Sequence, residues 1–312
     1  LCDETTDELM NHIMPFWNKL IDERGGFYGY MDFDLNLDKN AEKGVILNSR
    51  IMWFYSNIYL AFGKTEALSY AKHAYDFLRE HCADRTYGGV YWTMDADGNP
   101  CDDIKHTYNQ AFAVYGLASY YDATGDKDAL SLAYDLYNII EEKCVDKYGY
   151  LEAFDRQWEL IDNEKLSEDG YSASKTMNTL LHIIEAYTEL YRVDHNEDVG
   201  AKLCKALQLC KAKVYNVKDK MLDVFFDEKM NSIADIYSYG HDIEASWLID
   251  RACEVLDDND LAVEFSKLTK AIADHSLEAA FENGAMNNQY CRGEIDKTRV
   301  WWVQAETLVG SV

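Results

Sequence analysis

Three of the eight histidines stand in clusters whose residue types and spacing could move protons. His182 lies in KTMNTLLHIIEAY, four residues after Asn178 and three before Glu185. His241 lies in YGHDIEASW, with Glu244 at i+3 and Trp247 at i+6. His106 lies in KHTYNQAF, beside Tyr108 and Asn109. Two further clusters lack histidine: NSRIMWFYSN with Arg50, and KTRVWWVQAE with Arg299, Trp301, Trp302 and Glu306. On a helix, offsets of three, four and seven fall on one face. A face mixing imidazole, carboxylate and indole suits neither an oil-like core nor free solvent, but it suits a lined cavity. One such histidine would ordinarily be a satisfied core residue. Three at equivalent places argue for a site. The other five, His12, His73, His81, His195 and His275, sit among charged residues or near expected helix ends. They are expected on the surface without function.

The chemistry open to these groups is acid–base catalysis. Imidazole titrates near neutrality, so it can take a proton and return it. Abstracting a proton next to a carbonyl makes an enediolate, whose oxyanion needs a cation or donors aimed at it. Arg50 is the candidate cation, since a guanidinium is always charged and offers several donors. The competing reading of Arg50 is a buried salt bridge to one of the many carboxylates. The pairs His182/Glu185 and His241/Glu244 have ligand-like spacing, but nothing selects the third ligand and open position of a metal centre. The chain has no GxGxxG, GxxxxGK[ST] or GxSxG motif, so nucleotide, nicotinamide and serine-nucleophile chemistry have no support. Neither a metal nor any other cofactor is expected.

Periodicity shows what positions these clusters. Apolar spacing predicts helices over 4–22, 45–62, 65–82, 105–123, 127–143, 172–192, 197–214, 239–255, 259–280 and 297–312. Every second helix opens with one of the clusters. The markers Arg50, Tyr108, Asn178, His241 and Trp302 are separated by 58, 70, 63 and 61 residues. Five similar hairpins therefore follow one another. Between them lie glycine- and aromatic-rich inserts, GGFYGYMD, YGGVYWTMDADGNP, YGYLEAFDRQW and MLDVFFDEKMN, expected as short β-ribbons with tight turns. No βαβ rhythm appears. The expectation is one all-α domain over residues 1–312, with the cluster-bearing helices lining a common mouth. Only 2 prolines interrupt the chain, as long helices require.

Composition narrows the partners. A net charge of −26 excludes the cationic footprint of a nucleic-acid binder. It would also repel anionic membranes and phosphorylated ligands, which leaves a neutral substrate as the best fit. The main reading of the acid excess is a solvated surface. The 23 Tyr and 7 Trp serve core burial in the main, and those in the clusters suit sugar faces. Eight cysteines without a CxxC pair point to a reducing cytoplasm. No apolar run reaches the roughly 20 residues of a membrane span.

The clusters NSRIMWFYSN, KHTYNQAF, KTMNTLLHIIEAYTELY, SYGHDIEASWLIDRA and EIDKTRVWWVQAE, with the opening HIMPFWNKL, together resemble the successive inner-helix motifs of the N-acylglucosamine 2-epimerase family. They are most similar to its branch acting on cellobiose-type β-1,4-disaccharides. The resemblance covers the whole chain. It implies an (α/α)6 barrel and inversion of carbon 2 of a reducing-end sugar, without metal or redox cofactor. By position it implies that Arg50 binds and polarises oxygen at the reacting end, and that Tyr108 and Asn178 contact sugar. His182 would assist ring opening, and His241 would be one of two proton-transfer bases. Glu244 would hold His241 in its working tautomer, Trp247 and Trp302 would form aromatic walls, and Glu306 would bind hydroxyls or orient a neighbour. The family's second proton-transfer histidine lies in a sixth hairpin. The period places that hairpin about sixty residues after Trp302, beyond Val312, so five of six hairpins are expected here. Alternative readings are an N-acylglucosamine 2-epimerase proper or a mannose isomerase. Others are a glycoside hydrolase using Asp242, Glu244 or Glu306, and a non-catalytic sugar-binding or partner-binding barrel.

Overall fold

The computed structural model describes residues 2–163, 165 and 170–312. Long helices dominate: α1 Val45–Phe62, α2 Thr65–Phe77, α3 Thr107–Thr124, α4 Lys127–Lys143, α5 Met177–Asp194, α6 Glu197–Leu209, α7 Tyr239–Leu256, α8 Asn259–Ala280 and α9 Trp301–Gly310. A helical segment over Cys2–Glu8, Leu9–Ile13 and Met14–Asn18 precedes them. The expected all-α class with ribbon inserts is the one found. The chain forms two compact units, one of Leu1–Ile140 with Phe154–Leu160, the other of Glu141–Ala153 with Ile161–Val312.

The helix ends follow local chemistry. Gly63, Gly125, His195 and Asp257 each take the left-handed conformation just past α1, α3, α5 and α7, the usual way to close a helix. Asn196 and Asp258 then cap α6 and α8 through their side-chain oxygens. These two-residue joints fix each long helix beside the next. α3 buries residues all round, among them Phe112, Val114 and Leu117. It approaches α1 so closely that a Cβ on Gly116 would lie 2.5 Å from the Ser49 carbonyl.

α3, α5 and α9 start a few residues later than their periodicity suggests, whereas α1 and α7 start where expected. α3, α5 and α7 are preceded by short extended segments at Lys105–His106, Lys175–Thr176 and Ile236–Ser238. Lys175–Thr176 pairs with Phe225–Phe226, and Ile236–Ser238 with Gln289–Cys291. Strand pairing therefore claims backbone that apolar spacing alone would give to the helix. The α2 and α6 patterns run on through π-helical turns at Leu78–Cys82 and Cys210–Val214, which accounts for the expected ends at 82 and 214.

Each unit repeats one device. Just after the helical segments, Asp22, Asp84 and Asp146 each accept backbone N–H groups of the following turn. Each also pairs with a lysine two residues before a helix: Lys43–Asp22 at 2.8 Å, Lys105–Asp84 at 3.1 Å and Lys175–Asp146 at 2.8 Å. At the corresponding place before α7, Tyr237 donates to Asp219 and receives a bond from Asn216. Before α9 the place is taken by Arg299, 4.0 Å from Glu282. Each pin fastens an insert to the mouth of a cluster-bearing helix.

Candidate active site

In the second unit, α5, α7 and α9 bring their clusters together: α7 packs against both α5 and α9. A cavity of about 250 Å³ is lined by Asn178 of α5, Ser238 and His241 at the start of α7, and Trp302 of α9. Phe225 from one ribbon and Asn288 and Gln289 from another complete much of its wall. The Asn178 Oδ1 has no hydrogen-bond partner among the described residues.

His241 is held from two sides. Its Nδ1 lies 2.7 Å from Ser238 Oγ, one turn earlier in the chain. Its ring meets the Trp302 indole at a centroid distance of 4.9 Å and an angle of 58°. Gly240 makes room for that indole, since a Cβ there would lie 2.6 Å from Trp302. Burial, with the charge of nearby His182 adding, pushes the His241 imidazole down to about 3. The ring is thus neutral at pH 7 and able to accept a proton. The orienting contact seen at Nδ1 comes from Ser238, whereas sequence alone assigned that duty to Glu244. Glu244 is buried one turn further along α7 and is not part of the cavity wall.

His182 is buried on α5, with Nδ1 2.8 Å from Glu185 Oε2. The Glu306 Oε2 accepts from Trp247 Nε1 at 2.8 Å. Trp247 itself lines a different depression, with Asp250, Thr269 and Val309, and is absent from the His241 cavity wall.

In the first unit, the Arg50 guanidinium sits over the Phe112 ring at 5.0 Å. It is exposed and forms no ion pair among the described residues. Among the described residues no carboxylate pairs with Arg50, and the cation lies over an aromatic face instead. Tyr108 meets the same Phe112 edge-on at 4.9 Å, and Trp53 stacks on Tyr115 nearby in sequence to Phe112. His106 is fully buried, 5.4 Å from Trp92.

Two histidines expected at the surface are structural. His73 Nε2 lies within 3.0 Å of the carbonyls of Asp22 and Gly26. His81 Nδ1 lies 3.0 Å from that of Gly98. Their charged sequence neighbours hid the fact that the ribbon turns come back over them. Sequence also missed Ser238, Asn288 and Gln289. A serine three residues before His241 is a legible N-cap signal. The two ribbon residues carried none, because only strand pairing brings them to the cavity. Asp242, a carboxylate cast for the hydrolase reading, is fully buried and accepts from Leu222 N, while Glu306 is engaged by Trp247. Neither presents itself to the cavity. Among the described residues no group of three or more His, Cys, Asp or Glu could hold a metal ion, and no helix is long and apolar enough to cross a membrane.

The family model of N-acylglucosamine 2-epimerase (GlcNAc 2-epimerase) matches residues 26–312. A cellobiose 2-epimerase of Ruminococcus albus is 56% identical over 313 residues, covering 100% of this chain and 80% of that protein. The cellobiose 2-epimerase of Dictyoglomus turgidum is 47% identical over 311 residues, 99% of this chain and 80% of that one. The crystal structure of a sugar epimerase from a ruminal bacterium matches with a TM-score of 0.97 at 57% identity, over 99% of this chain and 79% of that one. A D-mannose isomerase, at 19% identity, shares the fold with a TM-score of 0.82. The chain spans about four fifths of the length of these curated relatives. On the family match across residues 26–312 and identities up to 56% over the whole chain, this protein belongs to the N-acylglucosamine 2-epimerase family.

Proposed function

We propose that this protein is a carbohydrate 2-epimerase that inverts carbon 2 of the reducing-end sugar of cellobiose-type β-1,4-disaccharides. The observation that carries the reading is whole-chain similarity to cellobiose 2-epimerases at 56% and 47% identity. The His241 cavity supports it, since it offers a neutral imidazole, an aromatic wall and the side-chain amide of Asn178.

In this reading the sugar reacts as its open-chain aldehyde. His241 Nε2 takes the carbon 2 proton, and the electron pair moves onto the carbonyl oxygen to give an enediolate. Reprotonation on the opposite face gives the epimer. His182, held by Glu185, assists at the ring oxygen during opening. Asn178 receives a sugar hydroxyl, and Trp302 covers an apolar sugar face. Arg50 and Tyr108 of the first unit keep the sugar-binding roles that the family resemblance implies for them. Glu244 and Glu306 support their helix neighbours. The substrate is neutral, as the strong acidic charge favours, and the chemistry uses no metal or redox cofactor.

The test is incubation of the full-length protein with cellobiose and, separately, with N-acetylglucosamine in heavy water. Formation of the glucosyl-mannose product with deuterium at carbon 2 is expected from cellobiose. Turnover of N-acetylglucosamine alone would transfer the assignment to that substrate. Product lacking deuterium at carbon 2 would remove the proton-transfer mechanism.

A further inference from the structure

We propose that Ser238 is the positioning residue for His241: its hydroxyl holds Nδ1 so that Nε2 faces the cavity with its lone pair free. The proposal rests on the reading of His241 as the base.

The geometry begins with the helix start. Ser238 is the N-cap of α7, with extended backbone, and its Oγ lies 3.5 Å from the His241 backbone N–H and 2.7 Å from its Nδ1. A single oxygen therefore addresses both the main chain and the side chain of one residue. Ser238 is anchored in turn, because Ile236–Ser238 pairs with Gln289–Cys291 and Ser238 opposes Gln289. The hydroxyl is buried with the residue, at 8% exposure. Opposite this contact stands Trp302, seated against Gly240. The four residues Ser238, Gly240, His241 and Trp302 thus lock the imidazole by one hydrogen bond and one aromatic face.

The chemical nature of the partner matters as much as its position. As base, His241 needs Nδ1 to carry the hydrogen and donate it to Ser238 Oγ, which leaves Nε2 unprotonated. A carboxylate in that place would stabilise the imidazolium and retain the proton. A neutral oxygen orients the ring without that charge stabilisation, so a proton taken from carbon 2 is readily given back. Epimerisation is reversible and asks this of its base. His182 is built differently, with the carboxylate of Glu185 at its Nδ1. His241 and His182 are therefore held by partners of different charge, a hydroxyl for one and a carboxylate for the other.

Four variants of the full-length protein test this: Ser238→Ala, Ser238→Thr, Ser238→Asp and His241→Asn, assayed for kcat and KM across pH and for melting temperature. Ser238→Ala is expected to lose about tenfold or more in kcat with KM changed less than about twofold, as for a general base losing its alignment. Ser238→Thr keeps a hydroxyl and should restore most of the rate. Ser238→Asp keeps the helix cap but puts a carboxylate at Nδ1, so the acidic limb of the kcat profile should move to higher pH. A purely structural cap would lower the melting temperature of Ser238→Ala and leave the kcat of the folded protein and its pH profile alone. That result, or an unmoved acidic limb in Ser238→Asp, overturns the proposal. His241→Asn separates it from the reading beneath: near-normal turnover there removes His241 as base. A large loss in His241→Asn with none in Ser238→Ala removes Ser238 alone.

Discussion

Lys105 Nζ lies 3.1 Å from Asp84 Oδ2 with both side chains sealed from solvent, and the pair holds the same place in its repeat as Lys43 with Asp22 and Lys175 with Asp146. Burial pushes the Asp84 carboxyl up, but bonds from Arg156, the Thr86 backbone and Lys105 outweigh it and hold the group well below the usual carboxylate range. Removing one partner of a buried pair strands the other, typically at about 3–5 kcal/mol. Lys105→Met should therefore destabilise the protein by a few kcal/mol, reduced by what Arg156 still supplies. Urea denaturation of that variant beside the exposed Lys270→Met measures it. Equal midpoints would mean the pins do not hold the helix mouths.

The Trp247–Glu306 bond should matter through support rather than contact. A hydrogen bond to a charged acceptor is worth about 1.5–3 kcal/mol, and this one joins α7 to α9 at 2.8 Å. Glu306→Ala should lower stability by about that amount, and Glu306→Gln by less because an acceptor remains. Thermal melts of the two variants check the order. Equal losses would show that Glu306 acts mainly through its charge, which both variants remove.

His241→Asn should lose at least about a hundredfold in turnover while the protein stays folded and still binds sugar, since general acid–base residues contribute about 10²–10⁴-fold. Glu244→Gln should lose less, because the base remains. His195→Asn is the control: His195 is exposed in the left-handed position after α5, which asparagine also tolerates. Turnover and melting temperature measured on one His241→Asn sample distinguish a base from a packing residue.

The same histidine predicts a pH dependence of stability. Its folded value, pushed down to about 3, lies below the free value of about 6.5. The unfolded chain therefore binds the proton more tightly in that window. The stability linked to a neutral His241 is present above about pH 6.5 and is lost as pH falls toward 3, by up to about 1.4 kcal/mol per pH unit. His241→Asn should flatten the slope between pH 6.5 and 5 relative to the parent. Parallel slopes in denaturation series at pH 7, 6 and 5 would contradict it.

Gly240 gives the last test. With no room for a Cβ beside Trp302, Gly240→Ala should displace the indole from the His241 ring. Turnover should then fall with little loss of stability, since the residue sits in the first turn of α7. Unchanged kinetics would mean that Trp302 does not position His241.

The sequence by itself determined the helices, the repeat and most of the cluster residues. α1 and α8 fall on their expected bounds because a long apolar stripe overrides local detail. Asn178, His241 and Trp302, picked out by equivalent places in the repeat, do line one cavity. What sequence spacing could not supply was partner choice. Glu244 at i+3 and Ser238 at i−3 are both one turn from His241, and only the extended N-cap backbone brings Ser238 to Nδ1. Trp247 shares a helix with His241, yet an offset of six residues leaves it about 120° round the helix, on another depression. His73 and His81 looked solvated until ribbon turns from distant sequence closed over them. Asn288 and Gln289 reach the cavity through strand pairing with Ile236–Ser238. Periodicity along one helix reports which face is buried; which atom meets which depends on approaches between segments far apart in sequence, and tertiary packing alone decides those.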